Sequence, residues 1–278
     1  MQKIKMIALD LDGTLFDSKG KIPEENSRIL LEAHKKGVHI ALSSGRMTDC
    51  VAPTADELGI DCPLIVYNGA MVRAARKECR KMIFHKPLQA EYGDLVMDYA
   101  LQNHFHLNCY LDDVLYAQED ASLRRFADIY ADQTGAVFHF VPDIKKFRGM
   151  EPTKLILITD VSDPRKPDNR RRDEQYDHFH PLLGDKVNLT KTNPEYLEFM
   201  NRGADKGVGL VKLAGYYGID MSVVIAFGDG DNDAPMLAAA GIGVAMANAG
   251  EKSRKAAKLV AKWSNDEAGV AKVLKDYL

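Results

Sequence analysis

Two carboxylates one residue apart, Asp10 and Asp12, stand at the end of the apolar run Ile4 to Leu9 and directly before Gly13. A buried strand that ends in acids at a glycine turn puts them outside the carboxyl end of a parallel sheet, where α/β proteins hold their ligands. Such a pair can supply a nucleophile, an acid/base or a metal ligand. Asp and Gly also form turns for purely local reasons, so taken alone the pair leaves a plain strand end open. A second segment, Ser43-Ser44-Gly45-Arg46, follows the apolar run Val38 to Leu42 and precedes a helical pattern. Hydroxyls and backbone N–H groups at a strand-to-helix joint suit phosphate oxygens, because the donors coincide with the positive end of the helix dipole. Its bland alternative is a helix N-cap with a turn glycine.

Lys206 opens a helical pattern after Asn201-Arg202-Gly203-Ala204-Asp205, at the end of a helix where the dipole disfavours a cation. An anion nearby would compensate; a pair with Asp205 or simple exposure are the alternatives. The densest cluster is Gly228-Asp229-Gly230-Asp231-Asn232-Asp233, between the apolar run Val223 to Phe227 and another helix. Helix capping explains one or two of these acids but not three. An EF-hand loop starting at Asp229 fails, since its sixth position is Ala234 rather than Gly and its twelfth is Ala240 rather than Glu. A hard cation such as Mg²⁺, which needs one or two protein carboxylates plus substrate oxygen and water, fits this supply better. No Walker A loop is present, and Gly207-Val208-Gly209 and Gly241-Ile242-Gly243 lack the third small residue of a dinucleotide fingerprint. His104 with His106, and His178 with His180, alternate along possible strands without acidic or cysteine companions, which favours ordinary histidines over metal ligands.

The elements that must carry these segments read as an α/β chain. Strand-like and helical runs alternate from Ile4 to Val66 and again from Lys206 to Tyr277, which predicts βαβ units and a parallel sheet. Between about Lys86 and Thr190 the pattern changes to longer helices and aromatic-rich strands, with a polar loop expected over Asp163 to Asp177 that includes Pro164, Pro167 and Arg170-Arg171-Arg172. Its acids nearly balance its bases, so it reads as a solvated excursion. The sequence therefore predicts a discontinuous core, residues 1–85 and 191–278, with an α+β domain inserted at 86–190. At 278 residues, 46% apolar and 28% charged, the chain has the composition of a globular protein. A net charge of −3 gives no reason to expect nucleic acid or an acidic membrane as partner. The N-terminus lacks a signal-peptide pattern and no run reaches membrane-spanning length, so a cytoplasmic protein is expected. Cys50, Cys62, Cys79 and Cys109 form no C-x-x-C pair and are expected to be reduced and structural.

The four segments, in this order and each at a strand end, resemble the haloacid dehalogenase superfamily of aspartate-nucleophile phosphatases, and within it the Cof-type subfamily with a large α/β cap. The resemblance implies a Rossmann-like parallel-sheet core with an inserted α+β cap domain, the cap closing over the site and selecting the leaving group. It implies Asp10 as nucleophile and Asp12 as acid/base. Leu11, Ser44, Gly45, Lys206 and Asn232 would bind the phosphoryl group. Mg²⁺ would be held by Asp10, the main-chain carbonyl of Asp12 and Asp229, with Asp233 orienting the metal shell. Gly230 and Asp231 stand where many relatives carry Asn and Glu. Arg46 and Asn68 can also face the site, but each is equally well read as a loop-stabilising residue and neither joins the expected catalytic set. The expected activity is Mg²⁺-dependent hydrolysis of a small soluble phosphate monoester, such as a sugar phosphate or phosphorylated cofactor. A phosphomutase of the same superfamily and a non-catalytic phosphate-ligand sensor are the competing readings.

Overall fold

The computed structural model describes residues 3–159 and 170–278, whose strands form two sheets, one in each of two compact units. One unit comprises Met1–His85 and Asp205–Leu278. Its first half runs β1 (Met6–Asp10), α1 (Glu24–Lys35), β2 (His39–Ser43), α2 (Thr48–Leu58), β3 (Leu64–Val66), β4 (Met71–Arg73) and β5 (Met82–His85). The other unit, Lys86–Ala204, runs α3 (Ala90–Gln102), β6 (His106–Leu111), β7 (Val114–Gln118), α4 (Arg124–Thr134), β8 (Phe138–Val141), β9 (Lys154–Ile158), α5 (Arg170–Leu183), β10 (Val187–Lys191) and β11 (Tyr196–Asn201). The chain then returns to the first unit with α6 (Lys206–Tyr216), β12 (Val224–Gly228), α7 (Ala234–Ala239), β13 (Ile242–Ala245), α8 (Glu251–Ala256), β14 (Leu259–Val260) and α9 (Gly269–Leu274).

The strand order of the first unit is β14-β13-β12-β1-β2-β3-β4-β5. From β14 to β3 neighbours are parallel, and β4 and β5 add an antiparallel edge. Every residue of β1 is buried, as the unbroken apolar run before Asp10 requires of a strand covered on both faces. On one face Met6, Ala8, Val224 and Ala226 pack against Leu210 and Leu213 of α6 and Met236 and Leu237 of α7. Small residues set how close these helices come. A Cβ on Gly209 would lie 2.6 Å from Cγ2 of Ile65, and one on Gly207 would lie 2.5 Å from the carbonyl oxygen of Pro235. These two glycines, which failed as a nucleotide fingerprint, are packing residues that seat the start of α6 against β3 and α7.

The inserted unit has the order β10-β11-β9-β6-β7-β8, antiparallel except for the β7–β8 pair. Val96 and Met97 of α3 and Phe179 and Leu183 of α5 cluster with Leu107, Cys109, Leu155, Leu157, Leu197 and Phe199 from alternate strand positions. From α4, the Tyr130 hydroxyl meets that of Tyr110 in β6 at 2.6 Å, and the Tyr130 ring stacks edge-on against Tyr196 of β11.

Three expectations are corrected here. The insert runs to Ala204 rather than to residue 190, because β10 turns back into β11 and β11 inserts between β10 and β9. A strand's residues show that it pairs, while its partner is chosen by the tertiary fold. The expected polar loop is also shortened: Arg170, Arg171 and Arg172 begin α5, and His178 and His180 lie on that helix, stacked on Tyr99 and Tyr176, rather than on a strand. Pro164 and Pro167 lie outside the described residues. Cys50, Cys62, Cys79 and Cys109 are in no disulfide, and burial pushes the thiols of Cys62 and Cys109 up to about 12. Among the described residues no helix is long and apolar enough to cross a membrane.

Candidate active site

The register of the parallel strands brings the distant segments together. Asp10 is level with Ser43 across the β1–β2 ladder, and Leu9 is level with Phe227 across β1–β12, so Asp10, Ser43 and Gly228 end side by side at one sheet edge. Beyond that edge the chain leaves each strand in a tight turn. After β1, Gly13 takes a positive φ of 81°, and a Cβ there would collide with the carboxylate of Asp229. Thr14, fully buried, donates from Oγ1 to Oδ1 of Asp229 at 2.6 Å.

Lys206 is the first residue of α6, behind an Asp205 cap whose Oδ1 accepts from the N–H of Val208 at 2.8 Å. Only 1% exposed, its Nζ donates to Oδ1 of Asp10 at 2.5 Å and to Oδ1 of Asp233 at 2.6 Å. The alternative pair with Asp205 is thus excluded: the anions that compensate its position come from β1 and from the turn after β12. Oδ2 of Asp233 accepts from the N–H groups of Asp229 and Gly230, both at 2.9 Å. Gly228 leaves room for this fold-back, since a Cβ there would lie 2.5 Å from Cβ of Asp233.

Carboxylate oxygens of Asp10, Asp229 and Asp233 lie within 4.8 Å of one another, with one buried ammonium among them. Burial raises Asp10 to about 8; the Lys206 ammonium opposes the rise, while Asp233 and Asp229 add to it. Burial likewise raises Asp229, with the Thr14 hydroxyl pulling the other way. Lys206 is held above its ordinary value: burial opposes its charge, but the carboxylates of Asp10 and Asp233 outweigh burial. Three acids stand together with one ammonium, which pairs with only two of them, and a hard cation would supply further counter-charge. Asp233 has both oxygens engaged with protein donors, whereas Asp10 and Asp229 each bond through Oδ1, leaving Oδ2 for a cation.

The Asp12 carboxylate is not part of this group. It is turned outward, with both oxygens on Nη2 of Arg46 at 2.8 and 2.9 Å. Leu11 is buried in the turn that follows Asp10. Ser44 is 3% exposed and its Oγ accepts from the N–H of Arg46 at 3.2 Å. Next to it, Gly45 abuts the side-chain amide of Asn68, and Nδ2 of Asn232 donates to Oδ1 of Asn68 at 2.8 Å. Sequence reasoning did not foresee Thr14, and left Arg46 and Asn68 out. Thr14 carries no local signal because its partner is 215 residues away. Asn68 was expected to be able to face the site, but its bond to Asn232, 164 positions away, has no local signal.

The chain matches known proteins over nearly its whole length. A family model described as haloacid dehalogenase-like hydrolase matches residues 7–274. The chain is 30% identical to 5-amino-6-(5-phospho-D-ribitylamino)uracil phosphatase YwtE of Bacillus subtilis, over 96% of each chain. It is 28% identical to phosphatase YwpJ of the same organism, over 99% of this chain and all of that one. Among solved structures, TM0651 from Thermotoga maritima matches with a TM-score of 0.86 at 28% identity, covering 98% of this chain and 97% of that one. A haloacid dehalogenase-like hydrolase from Bacteroides thetaiotaomicron matches with a TM-score of 0.85 at 29% identity, covering 99% and 100%.

Proposed function

Because the chain belongs to the haloacid dehalogenase-like hydrolase family, we propose that it is a phosphatase that hydrolyses a small organic phosphate monoester through an aspartyl-phosphate on Asp10. The observation that carries this reading is the buried Lys206, whose ammonium is shared between Asp10 and Asp233. A carboxylate and a phosphate dianion repel, so the nucleophile needs fixed positive charge beside it before the two can meet.

In this reading an oxygen of Asp10 attacks phosphorus, and the bond from phosphorus to the ester oxygen breaks. Asp12, protonated from solvent once it swings off Arg46, gives the leaving alkoxide its proton. It then takes a proton from the water that attacks the acyl phosphate, so ester and water become alcohol and inorganic phosphate. Ser44, the backbone of Leu11 and Gly45, Lys206 and Asn232 hold the phosphoryl oxygens. The donor set is all hard oxygen and fits Mg²⁺: Asp10, Asp229 and the carbonyl of Asp12 would hold it, while Asp233, already bound to Lys206 and two backbone N–H groups, fixes their arrangement. When bound, the ion supplies charge neutralisation for the nucleophile and the phosphoryl group.

The test is a panel of phosphorylated metabolites, including 5-amino-6-(5-phospho-D-ribitylamino)uracil, assayed for phosphate release with and without Mg²⁺. The expected result is release that depends on the ion and disappears in Asp10→Asn. Isomerisation of a hexose 1-phosphate with no net release would overturn the hydrolase reading in favour of a mutase. Ligand binding undiminished in Asp10→Asn with no turnover by the parent chain would favour a sensor.

A further inference from the structure

The turn after β3 has a role that the four motif segments leave unexplained. Tyr67, Asn68 and Gly69 take positive φ values of 51°, 50° and 88° in succession. Asparagine and glycine tolerate this conformation; a fully buried tyrosine adopts it only where its surroundings hold it there. Here the surroundings are the site itself. The N–H of Tyr67 donates to the carbonyl of Arg46, and that of Asn68 donates to the carbonyl of Ser44, both at 3.0 Å. The N–H of Ser44 closes the exchange on the carbonyl of Ile65 at 2.8 Å. Gly69 lies against the start of α6, where a Cβ would collide with the carbonyl of Asp205 and come within 2.9 Å of the backbone nitrogen of Lys206.

The Asn68 side chain extends this frame to a third segment. Its Oδ1 accepts from Nδ2 of Asn232 at 2.8 Å, and a Cβ on Gly45 would lie 3.0 Å from the same oxygen. Asn232 is exposed on a short turn, where an unrestrained side chain would sample several rotamers. Its amide has two N–H groups, so one can be held by Asn68 while the other stays available to an oxyanion. We propose that Asn68 is a positioning residue for the phosphate site: its carbonyl fixes the amide of Asn232 while its backbone locks that amide to Ser44, keeping donors from separate segments in one frame. The proposal rests on the phosphatase reading in assigning Ser44 and Asn232 to the phosphoryl group.

The test is a double-mutant cycle of Asn68→Gly and Asn232→Ala, reading equilibrium binding of inorganic phosphate in the presence of Mg²⁺ and, in parallel, KM and kcat. Glycine keeps the positive φ without strain, so the fold and Tm should survive. Asn68→Gly is expected to weaken phosphate binding about three- to tenfold. In the Asn232→Ala background it should cost at most about twofold more, because the group it orients is gone. The loss should fall on KM and phosphate affinity rather than on kcat. Full additivity, or unchanged phosphate binding in Asn68→Gly alone, would overturn the positioning role. Failure of the parent chain to release phosphate from any ester would overturn the phosphatase reading instead, and the binding cycle would still report on Asn68.

Discussion

Replacing Lys206 by Met keeps the length and apolar stem of the side chain and removes its charge. The ammonium is 1% exposed and within 2.6 Å of two carboxylates, of which Asp233 is fully buried and Asp10 is 7% exposed. Water cannot replace it, so the variant keeps buried acids with no counter-charge, a change that costs about 3–5 kcal/mol. For a unit of this size that is a fall of roughly 6–20 °C in Tm. The loss should depend on pH. Lys206 holds Asp10 below the value that burial alone would impose, so the variant's carboxylates bind protons more readily, and a protonated acid needs no counter-charge. The stability deficit relative to the parent should therefore be greatest at alkaline pH, around and above the Asp10 value of about 8, and narrow as the pH falls. Urea unfolding of both proteins between pH 9 and 5, in EDTA to keep cations out, reads this directly. A deficit that is absent, or equal at every pH, would refute the argument that Lys206 compensates buried negative charge. Phosphate release should also drop by about 10³-fold or more, because the fixed cation beside the nucleophile is lost.

Thr14→Val removes the hydroxyl on Asp229 and leaves the shape of the turn. Mg²⁺ is expected to raise the Tm of the parent, and the rise should be smaller in the variant, as followed by a metal titration without substrate. Gly69→Ala should destabilise the core unit by about 2 kcal/mol or more, since a Cβ would meet both a positive φ and the backbone of Asp205; chemical denaturation followed by a core-unit probe tests it. In the inserted unit, burial pushes His106 down to about 4 from an ordinary 6.5. The unfolded chain therefore takes up a proton that the folded one refuses, and stability present above about pH 6.5 should be lost progressively towards pH 4, by roughly 3 kcal/mol in all. His106→Gln should flatten that slope in pH-dependent denaturation.

The site was legible in the sequence where chemistry and position coincide. Asp10, Ser44 and the Gly228–Asp233 cluster are polar residues at the ends of apolar runs, parallel strands necessarily end at one edge, and Lys206 stands out as a cation at a helix start. The fold class followed from the same alternation. What the sequence concealed depends on distance or on choice of partner. The Thr14–Asp229 bond joins residues whose spacing has no period to detect, and the outward turn of Asp12 depends on Arg46, 34 positions away. Tyr196–Asn201 reads as a strand in either sheet, and the hydrogen bonds to β9 and β10 decided it, moving the boundary of the insert. Asp112 and Asp113, both at positive φ, make the hairpin turn into β7 that was not anticipated. Gly207 and Gly209 carried a motif-like spacing whose meaning was steric.

The placement of β1 between β2 and β12 also sets an order of events during synthesis. Every strand of the inserted sheet lies within Lys86–Ala204, so that sheet has all its parts before β12 has been made. The central strand of the larger sheet must wait more than two hundred residues for its second neighbour, with one edge unpaired and Asp10 unmatched by Lys206 or Asp233. On the ribosome, Asp10 acquires its buried partners only after the whole inserted sheet has been made.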